Sequence, residues 1–487
     1  MPLRIFSAIT PAVAMLLIGL PQARGEELTP LLKRQFANTQ LLFCFQGKGS
    51  CLPYDAGILH EAYARIPALR ENRVVIAGNS SGSIAAAFFS CYGFTDDNVA
   101  YAVERLRNGD RTAVRDMENP RSKFVKMLRG QRTEIGHEHL REYMGFALGV
   151  PDWKNYPTIE AVAARSQAVP RFPLVIVSCN KEVLEDADDA DGRSSARFKE
   201  IDPATMIVSW RPEVYEFYKK HPERFAADHP QLKLGLDRRI GRAVTFFVDR
   251  SMYALLSQLQ PEERLADLRL VETAADVALA IKASVSEPSY FDPVPEPDTS
   301  RVLCGTQIGD LGNVRSRTYY GGYIMALPAQ DVRRMLPGIR TFGTGFRHFD
   351  LLARSAVGDW LLADTEQVAQ RFEWWADLET CPDAEFESHM DHRDLTGDQE
   401  FEFGRRRARE CFDADRGLPT FVVPPALGSP AKNAIYPAFD APEMFVKAAG
   451  EKPSGNAKAK GGGASPQRLK SGRGLGPLIL HGADSRK

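Results

Sequence analysis

The sequence predicts an α/β fold with a largely parallel central sheet. Short apolar runs, typical of buried strands, recur along the chain and alternate with stretches of helical spacing. Glycine turns follow several of these runs, and the dipeptides that favour tight hairpins are few. This alternation is typical of strand–helix–strand units, in which the strands run parallel and the helices cover the sheet. The length of 487 residues leaves room for insertions in such a domain.

Composition limits the partners that can be expected. The chain has 62 Lys or Arg against 63 Asp or Glu, so it has no general attraction to nucleic acid or to an anionic surface. Hydrophobic residues make up 44% and charged residues 26%, which is ordinary for a globular protein. We therefore expect no specific nucleic-acid partner, and the oligomeric state stays open.

Residues 1–25 have the pattern of a secretory signal peptide. Arg4 supplies a positive charge, residues 12–20 form a short apolar core, and Ala23 and Gly25 provide small residues before a cleavage point. The core is shorter than the roughly 20 apolar residues that cross a bilayer, although an uncleaved anchor is the alternative. We expect an exported protein, periplasmic or secreted and without a later membrane span, and leave peripheral membrane contact open.

The predicted strands and the first helix lie within residues 26–350. An apolar strand ends in a glycine loop over 39–49, and helical spacing follows over 54–66. A second strand precedes Gly78, and a β-branched run predicts a third at 171–179. The last strand candidates are the segments RTYYGGYIMALP and GIRTFGTGF.

The remaining parts of the chain are predicted to be helical or irregular. Residues 97–167 and 200–280 are polar with helical spacing, and we expect them to form helical insertions. Residues 351–447 are predicted to form a helical C-terminal extension. Residues 448–487 are rich in Gly and Lys and strongly basic, a composition that predicts a disordered tail.

A Gly-x-Ser-x-Gly turn, Gly78-Asn79-Ser80-Ser81-Gly82, joins the second strand to an Ala-rich helix. In a nucleophile elbow, small residues such as Gly78 and Gly82 let the chain bend sharply, and the serine hydroxyl stands clear of the sheet. The Ser81 N–H would then face the site from the helix N-terminus, where an oxyanion is stabilised. The alternative is a serine that only caps the helix.

The loop after the first strand offers further backbone N–H groups. Gly47-Lys48-Gly49 lacks the spacing of a P-loop, and Leu52 stands where a dinucleotide fingerprint needs its third glycine. Both phosphate-binding interpretations therefore fail. What remains is a loop in which Gly47 and Gly49 are candidate oxyanion donors beside Ser80.

With these motifs, the chain resembles the patatin-like phospholipase domain over roughly residues 40–350. The resemblance depends on the glycine loop, the G-x-S-x-G turn and the later segments KASVSEPSYFDPV and YYGGYIMALP. It implies a three-layer α/β fold and hydrolysis of acyl esters of lipids by a Ser–Asp dyad, without a metal or other cofactor. By the same resemblance Ser80 is the nucleophile, and the amides of Gly47, Gly49 and Ser81 hold the oxyanion.

The sequence departs from that family at the base of the dyad. The family's Asp-Gly-Gly motif reads Tyr320-Gly321-Gly322 here. A tyrosine, with an ordinary pKa of about 10, is a poor general base at neutral pH. Lys48 and Leu52 also replace glycines of the family's oxyanion loop. Two functions therefore stay open: an acyl-ester hydrolase with an altered or impaired base, and an inactive relative that binds lipid or a protein partner.

Several groups are candidates for the missing base. Asp310 comes first, because its loop precedes the Tyr320 strand. Asp331 is weaker because its segment has helical spacing. Ordinary α/β-hydrolases, which use a histidine, place several strands before the nucleophile and fit less well. The other groups left open are Lys48, Tyr320, His348 and His392.

Overall fold

Continuous apolar runs form the centre of the sheet. Strands β1 (Leu41–Phe45), β2 (Val74–Asn79) and β3 (Leu174–Cys179) are buried at every position. Side chains alternate between the two faces of a strand, so an unbroken apolar run requires cover on both faces. Cys44 and Cys179 lie within these strands as small buried residues, and neither is exposed.

The structure, a computed structural model, describes only part of the chain. The described residues are 32, 34–45, 47, 51–109, 136–180, 183, 198–202, 205–230, 232, 234–235, 237–261, 263–286, 291, 294–295, 318–319, 328–345, 374–377 and 396–413. They all fall within one unit, Met1–Asp440. The predicted signal peptide and the predicted basic tail lie outside the described residues. In the part described, no helix has the length and apolar character needed to cross a membrane.

Further strands complete two sheets and a short ribbon. They are β4 (Lys199–Asp202), β5 (Ile207–Trp210), β6 (Arg239–Arg242), β7 (Val244–Val248), β8 (Asp267–Leu270), β9 (Val294–Pro295), β10 (Thr318–Tyr319), β11 (Arg340–Gly345) and β12 (Trp374–Asp377). The central sheet has seven strands in the order β12-β11-β1-β2-β3-β7-β8. All its neighbouring pairs are parallel except β3 with β7. The predicted α/β class and largely parallel sheet are therefore confirmed.

Helices connect these strands. In the described part they are α1 (Leu52–Arg65), α2 (Pro67–Arg70), α3 (Gly82–Tyr92), α4 (Asp96–Asn108), α5 (Arg141–Ala147), α6 (Ile159–Arg165), α7 (Pro212–Lys220), α8 (Pro222–Asp228), α9 (Arg250–Leu256), α10 (Ala274–Val285), α11 (Ala329–Met335) and α12 (Gly397–Asp413). Two short 3₁₀ helices are His137–Leu140 and Trp153–Asn155.

The core lies on both faces of the central sheet. Phe43 and Ile76 point into one cluster, which α1, α3 and α10 cover. Leu42 and Val75, one position earlier, point into the second cluster together with residues of α9 and α11. This arrangement of helices, sheet and helices agrees with a three-layer α/β architecture.

The prediction of a helical insertion at 200–280 is wrong. Four strands, β5 to β8, lie within that range and β4 extends into it, and β7 and β8 extend the central sheet. They are four or five residues long, and periodicity cannot separate such short runs from helical neighbours. β12 likewise adds a strand at Trp374-Trp375 inside the predicted helical extension.

The C-terminal helix α12 is part of the main layer of helices. It packs on α1, where Tyr54 and Phe403 lie with their ring centroids 5.7 Å apart. Glu61 on α1 accepts hydrogen bonds from Arg405 Nε at 2.8 Å and from Arg409 Nη2 at 2.7 Å. Since the sheet and α12 enclose α1, all of its residues are buried.

Candidate functional site

The ends of several strands meet at one edge of the central sheet. β1, β2, β3 and β11 run parallel, so their carboxyl ends lie at the same edge. Phe45 pairs with Gly78, and Asn79 pairs with Val177. In open α/β sheets this edge is where ligands bind. The Gly47 loop and the Ser80 turn both leave the sheet here.

Ser80 lies in a strained turn between β2 and α3. Its φ angle is +47°, in the left-handed region that residues other than Gly, Asn and Asp rarely adopt. The strand ends at Asn79 and the helix begins at Gly82, so only two residues turn the chain. The Ser80 side chain is half-buried, and its carbonyl accepts hydrogen bonds from Ser83 Oγ at 2.6 Å and Ser83 N at 2.9 Å. This is the strand–turn–helix geometry of a nucleophile elbow.

The two glycines of the motif are required by close packing. A Cβ on Gly78 would lie 2.6 Å from the Gly82 carbonyl oxygen and 2.8 Å from the Ala86 Cβ. A Cβ on Gly82 would lie 2.3 Å from the Phe45 carbonyl oxygen. Any side chain at either position would therefore push α3 away from β1 and β2.

Gly47 lies directly beside the Ser80 turn. Its N–H donates a hydrogen bond of 3.0 Å to Asn79 Oδ1. The expected role of this N–H was to face an oxyanion, whereas in this geometry it is engaged by a side chain of the turn itself. Sequence reasoning did not assign a role to Asn79, although its position inside the G-x-S-x-G motif marks it as a polar side chain near the site.

The last turn of α10 contacts the Ser80 turn. The Ser80 N–H donates to Ser284 Oγ at 2.8 Å, and Ser284 Oγ donates to the Val177 carbonyl at 2.6 Å. Ser178 Oγ donates to the Ala283 carbonyl at 2.8 Å, which fixes the same turn of α10 to β3. These serines belong to the segment KASVSEPSYFDPV and its neighbouring strand, and their contacts to Ser80 could not be inferred from sequence.

A buried histidine lies against the end of α10. His137 Nε2 is 2.6 Å from Ser286 Oγ, and its ring stacks on Phe291 with centroids 5.6 Å apart. Burial, with a further effect from the positive charge of Lys282, lowers the pKa of His137 to about 4. The imidazole is therefore neutral at pH 7. Since Ser286 Oγ donates to the Lys282 carbonyl, His137 acts as a donor to Ser286.

Asp331 is far from Ser80 and has a structural role. Its Oδ2 accepts a hydrogen bond of 2.9 Å from the Leu265 N–H, just before β8. β8 is three strands away from β2 in the sheet, a distance of about 14 Å at the usual strand spacing. The carboxyl is buried, and burial raises the pKa of Asp331 to about 6. We therefore remove Asp331 from the candidates for the base.

The other predicted site residues lie outside the described residues. They are Lys48, Gly49, Asp310, Tyr320, Gly321, Gly322, His348 and His392. The backbone of β10, which ends at Tyr319, pairs with Val294 in β9. β9 begins at Val294, shortly after the end of α10 at Val285. Within the described ranges, no group of three or more His, Cys, Asp or Glu forms a metal site.

Fold and site together define an α/β protein in which a serine with a left-handed backbone conformation lies at the carboxyl ends of parallel strands. Comparison with known proteins finds no matching family model and no significant match among curated proteins or solved structures. The assignment of a function therefore depends on the geometry of the site.

Proposed function

We propose that this protein is a serine acyl-ester hydrolase of the patatin-like type, acting on a lipid or another acyl ester. The observation that carries the proposal is the conformation of Ser80. An L-residue with a φ of +47° is strained, and strain of this kind is concentrated at functional sites. A helix cap alone does not require it, since capping residues have ordinary β-region angles.

The proposed reaction begins when Ser80 Oγ attacks the carbonyl carbon of the ester and its proton passes to a base. The resulting oxyanion is held by backbone N–H groups, with Ser81 at the positive end of α3 as the first donor. Collapse of this intermediate expels the alcohol, which takes the proton, and leaves an acyl group on Ser80. Water then hydrolyses the acyl-enzyme through the same steps in reverse order.

Gly47 and Gly49 are the other proposed oxyanion donors. The Gly47 N–H is bound to Asn79 Oδ1 at 3.0 Å, so it serves an oxyanion only if this bond is exchanged. Charge on the developing oxyanion favours the exchange, because charge-assisted hydrogen bonds are about twice as strong as neutral ones. Asn79 is thus the residue that competes with the substrate for this donor.

Asp310 is the proposed base. Its support is its place in the sequence: Asp310 precedes β10, and β10 pairs with β9, which follows α10 in the chain. α10 itself contacts Ser80 through Ser284. A base is worth about 10²–10⁴-fold in rate, so an altered base predicts a slow enzyme rather than no enzyme.

The second candidate function is a non-catalytic protein that uses the same edge of the sheet to bind lipid or a protein partner. Two observations favour it. Tyr320 stands at the position of the family's aspartate, and the Gly47 N–H is engaged by Asn79. Under this alternative the Ser80 turn is retained as part of the scaffold.

Hydrolysis assays separate the two functions. The full chain, Ser80→Ala and Asp310→Asn are compared on short-chain aryl esters and on phospholipid vesicles, with Asp331→Asn as the control for loss of a remote carboxylate. The hydrolase proposal predicts that Ser80→Ala and Asp310→Asn lose activity while Asp331→Asn keeps it. Activity lost only in Ser80→Ala would keep the nucleophile and exclude Asp310. Wild-type activity that does not exceed the Ser80→Ala background on any substrate would support the binding protein.

We also propose that the protein is exported after cleavage near residue 25. The signal-peptide pattern of residues 1–25 is the support for this proposal. Expression of the full chain followed by N-terminal sequencing tests it: a mature N-terminus near Glu26 in the periplasmic or secreted fraction is expected. Recovery of the intact N-terminus in the cytoplasm would contradict it.

A further inference from the structure

α10 contacts the Ser80 turn through the hydroxyl of Ser284. We propose that Ser284 is a positioning residue whose hydroxyl is inserted into the hydrogen-bond ladder between β2 and β3 and thereby holds Ser80 in its left-handed conformation. The effect on the turn is independent of any activity. The effect on catalysis rests on the proposed function.

The register of the two strands shows where the hydroxyl is inserted. The Ile76 N–H donates to the Pro173 carbonyl, and the ladder of a parallel pair repeats every two residues. Two repeats later, the same pattern would join the Ser80 N–H directly to the Val177 carbonyl. Ser284 Oγ instead accepts from that N–H at 2.8 Å and donates to that carbonyl at 2.6 Å. One hydroxyl therefore replaces one rung of the ladder.

The inserted hydroxyl satisfies both backbone groups while keeping them apart. A serine hydroxyl has one donor and two acceptor sites, so it can serve the N–H and the carbonyl at the same time. Ser284 is fully buried, and an unpaired backbone group in this place would be costly. With the rung closed directly, Ser80 would have to continue the extended conformation of β2. The insertion allows the chain to leave the sheet at Ser80.

Ser80 is held on its other side as well. Its carbonyl accepts hydrogen bonds from the Ser83 Oγ and the Ser83 N–H. Both polar backbone groups of Ser80 are thus fixed, one by α3 and one by α10. Since the second of these contacts comes from residue 284, the conformation of the turn depends on a distant part of the chain.

Ser178 provides a matched control. It is also a fully buried serine, and its Oγ donates to the Ala283 carbonyl, next to Ser284. Ser178→Ala and Ser284→Ala each remove one hydroxyl between α10 and β3. Ser284→Ala removes the bond to the Ser80 N–H, whereas Ser178→Ala removes the bond to the Ala283 carbonyl. Loss of packing alone would affect both variants alike, whereas loss of positioning would affect only Ser284→Ala.

The experiment measures hydrogen exchange at the Ser80 amide and the rate at which a fluorophosphonate probe modifies Ser80. In Ser284→Ala we expect the Ser80 amide to exchange at least about tenfold faster and the probe to react about 10- to 100-fold more slowly, the cost of a small misplacement of a reacting group. Ser178→Ala should retain wild-type exchange and labelling. Ser284→Thr, which keeps a hydroxyl, should restore most of both.

The outcomes separate this inference from the proposed function. Faster exchange in Ser284→Ala supports the inference even if the wild type does not react with the probe, a result that would count against the hydrolase. Unchanged amide exchange in Ser284→Ala, or an equal change in Ser178→Ala, would overturn the inference even if Ser80 reacts with the probe. If Ser284→Ala does not fold, Ser284→Cys, which has a weaker donor and acceptor, is compared with Ser284→Thr. Equal hydrogen exchange at the Ser80 amide in Ser284→Cys and Ser284→Thr would overturn the inference.

Discussion

Gly47 lies directly against Ser80: a Cβ on Gly47 would be 2.1 Å from the Ser80 Cβ and 2.9 Å from its Oγ. It would also be 2.8 Å from the Asn79 carbonyl oxygen. No real Cβ approaches other atoms this closely, so any side chain at position 47 must move either the loop or the serine. Gly47 and the turn after β2 are therefore closely fitted to each other.

Gly47→Ala should inactivate the site without unfolding the protein. The added methyl group displaces Ser80 or the loop, and a displacement of about 1 Å at a reacting group costs about 10²-fold in rate. The change is measured as ester hydrolysis per folded molecule. Gly136→Ala is the control, since a Cβ there has no neighbour within 4 Å among the residues that the structure describes. Wild-type activity in Gly47→Ala would show that Ser80 does not act from the position described.

Gly404→Ala should weaken the packing of α12 on α1. A Cβ on Gly404 would be 2.2 Å from the Tyr54 carbonyl oxygen, and one on Gly57 would be 2.1 Å from the Phe401 carbonyl oxygen. Alanine favours a helix by about 1 kcal/mol over glycine, but overpacking against backbone costs about 1–3 kcal/mol. We expect a net decrease in the free energy of unfolding, measured in urea, for Gly404→Ala and for Gly57→Ala. Stabilisation by either substitution would contradict the close crossing of the two helices.

Glu61→Gln should destabilise the protein at neutral pH and have less effect in acid. Burial alone would raise the pKa of Glu61, but its neighbours His60, Arg409 and Arg405 lower it overall. A carboxylate with a lowered pKa stabilises the fold above its unfolded pKa of about 4.3, and this contribution is lost as the pH falls. Because Arg405 and Arg409 are partly exposed, we expect a loss of only about 1–3 kcal/mol at pH 7.

Chemical unfolding of Glu61→Gln at pH 7 and near pH 3 measures this difference. Glu402→Gln is the matched control, because Glu402 is exposed and binds the same Arg405. An equal loss of stability in both variants would mean that the buried position of Glu61 is not important.

Asp331→Asn should have the opposite dependence on pH. Burial raises the pKa of Asp331 to about 6, so the folded protein holds the proton more tightly than the unfolded chain does. The charged carboxylate therefore costs stability as the pH rises from about 4 to about 6, by about 3 kcal/mol in total. We expect Asp331→Asn to gain stability relative to the wild type at pH 7 and not at pH 4. The exposed Asp228→Asn serves as control, and a pH-independent difference would contradict the buried charge.

Local patterns predicted the parts of the fold in which one signal dominates. β1, β2 and β3 each begin with at least four consecutive apolar residues, and the G-x-S-x-G spacing correctly placed Ser80 between a strand and a helix. β7 was missed because five residues, VTFFV, give no period and stand among helical stretches. The contacts of Ser284 with Ser80 and of Gly57 with α12 join distant parts of the chain, and no local pattern contains them.

Reaction of Ser80 with a fluorophosphonate probe, followed by mass-spectrometric mapping of the modified residue in the intact full chain, tests the central claim most directly. If the left-handed turn presents an activated nucleophile, the wild type carries one adduct, on Ser80, and Ser80→Ala carries none. A wild-type protein that remains unmodified, or is modified equally in Ser80→Ala, would contradict the assignment of Ser80 as the nucleophile.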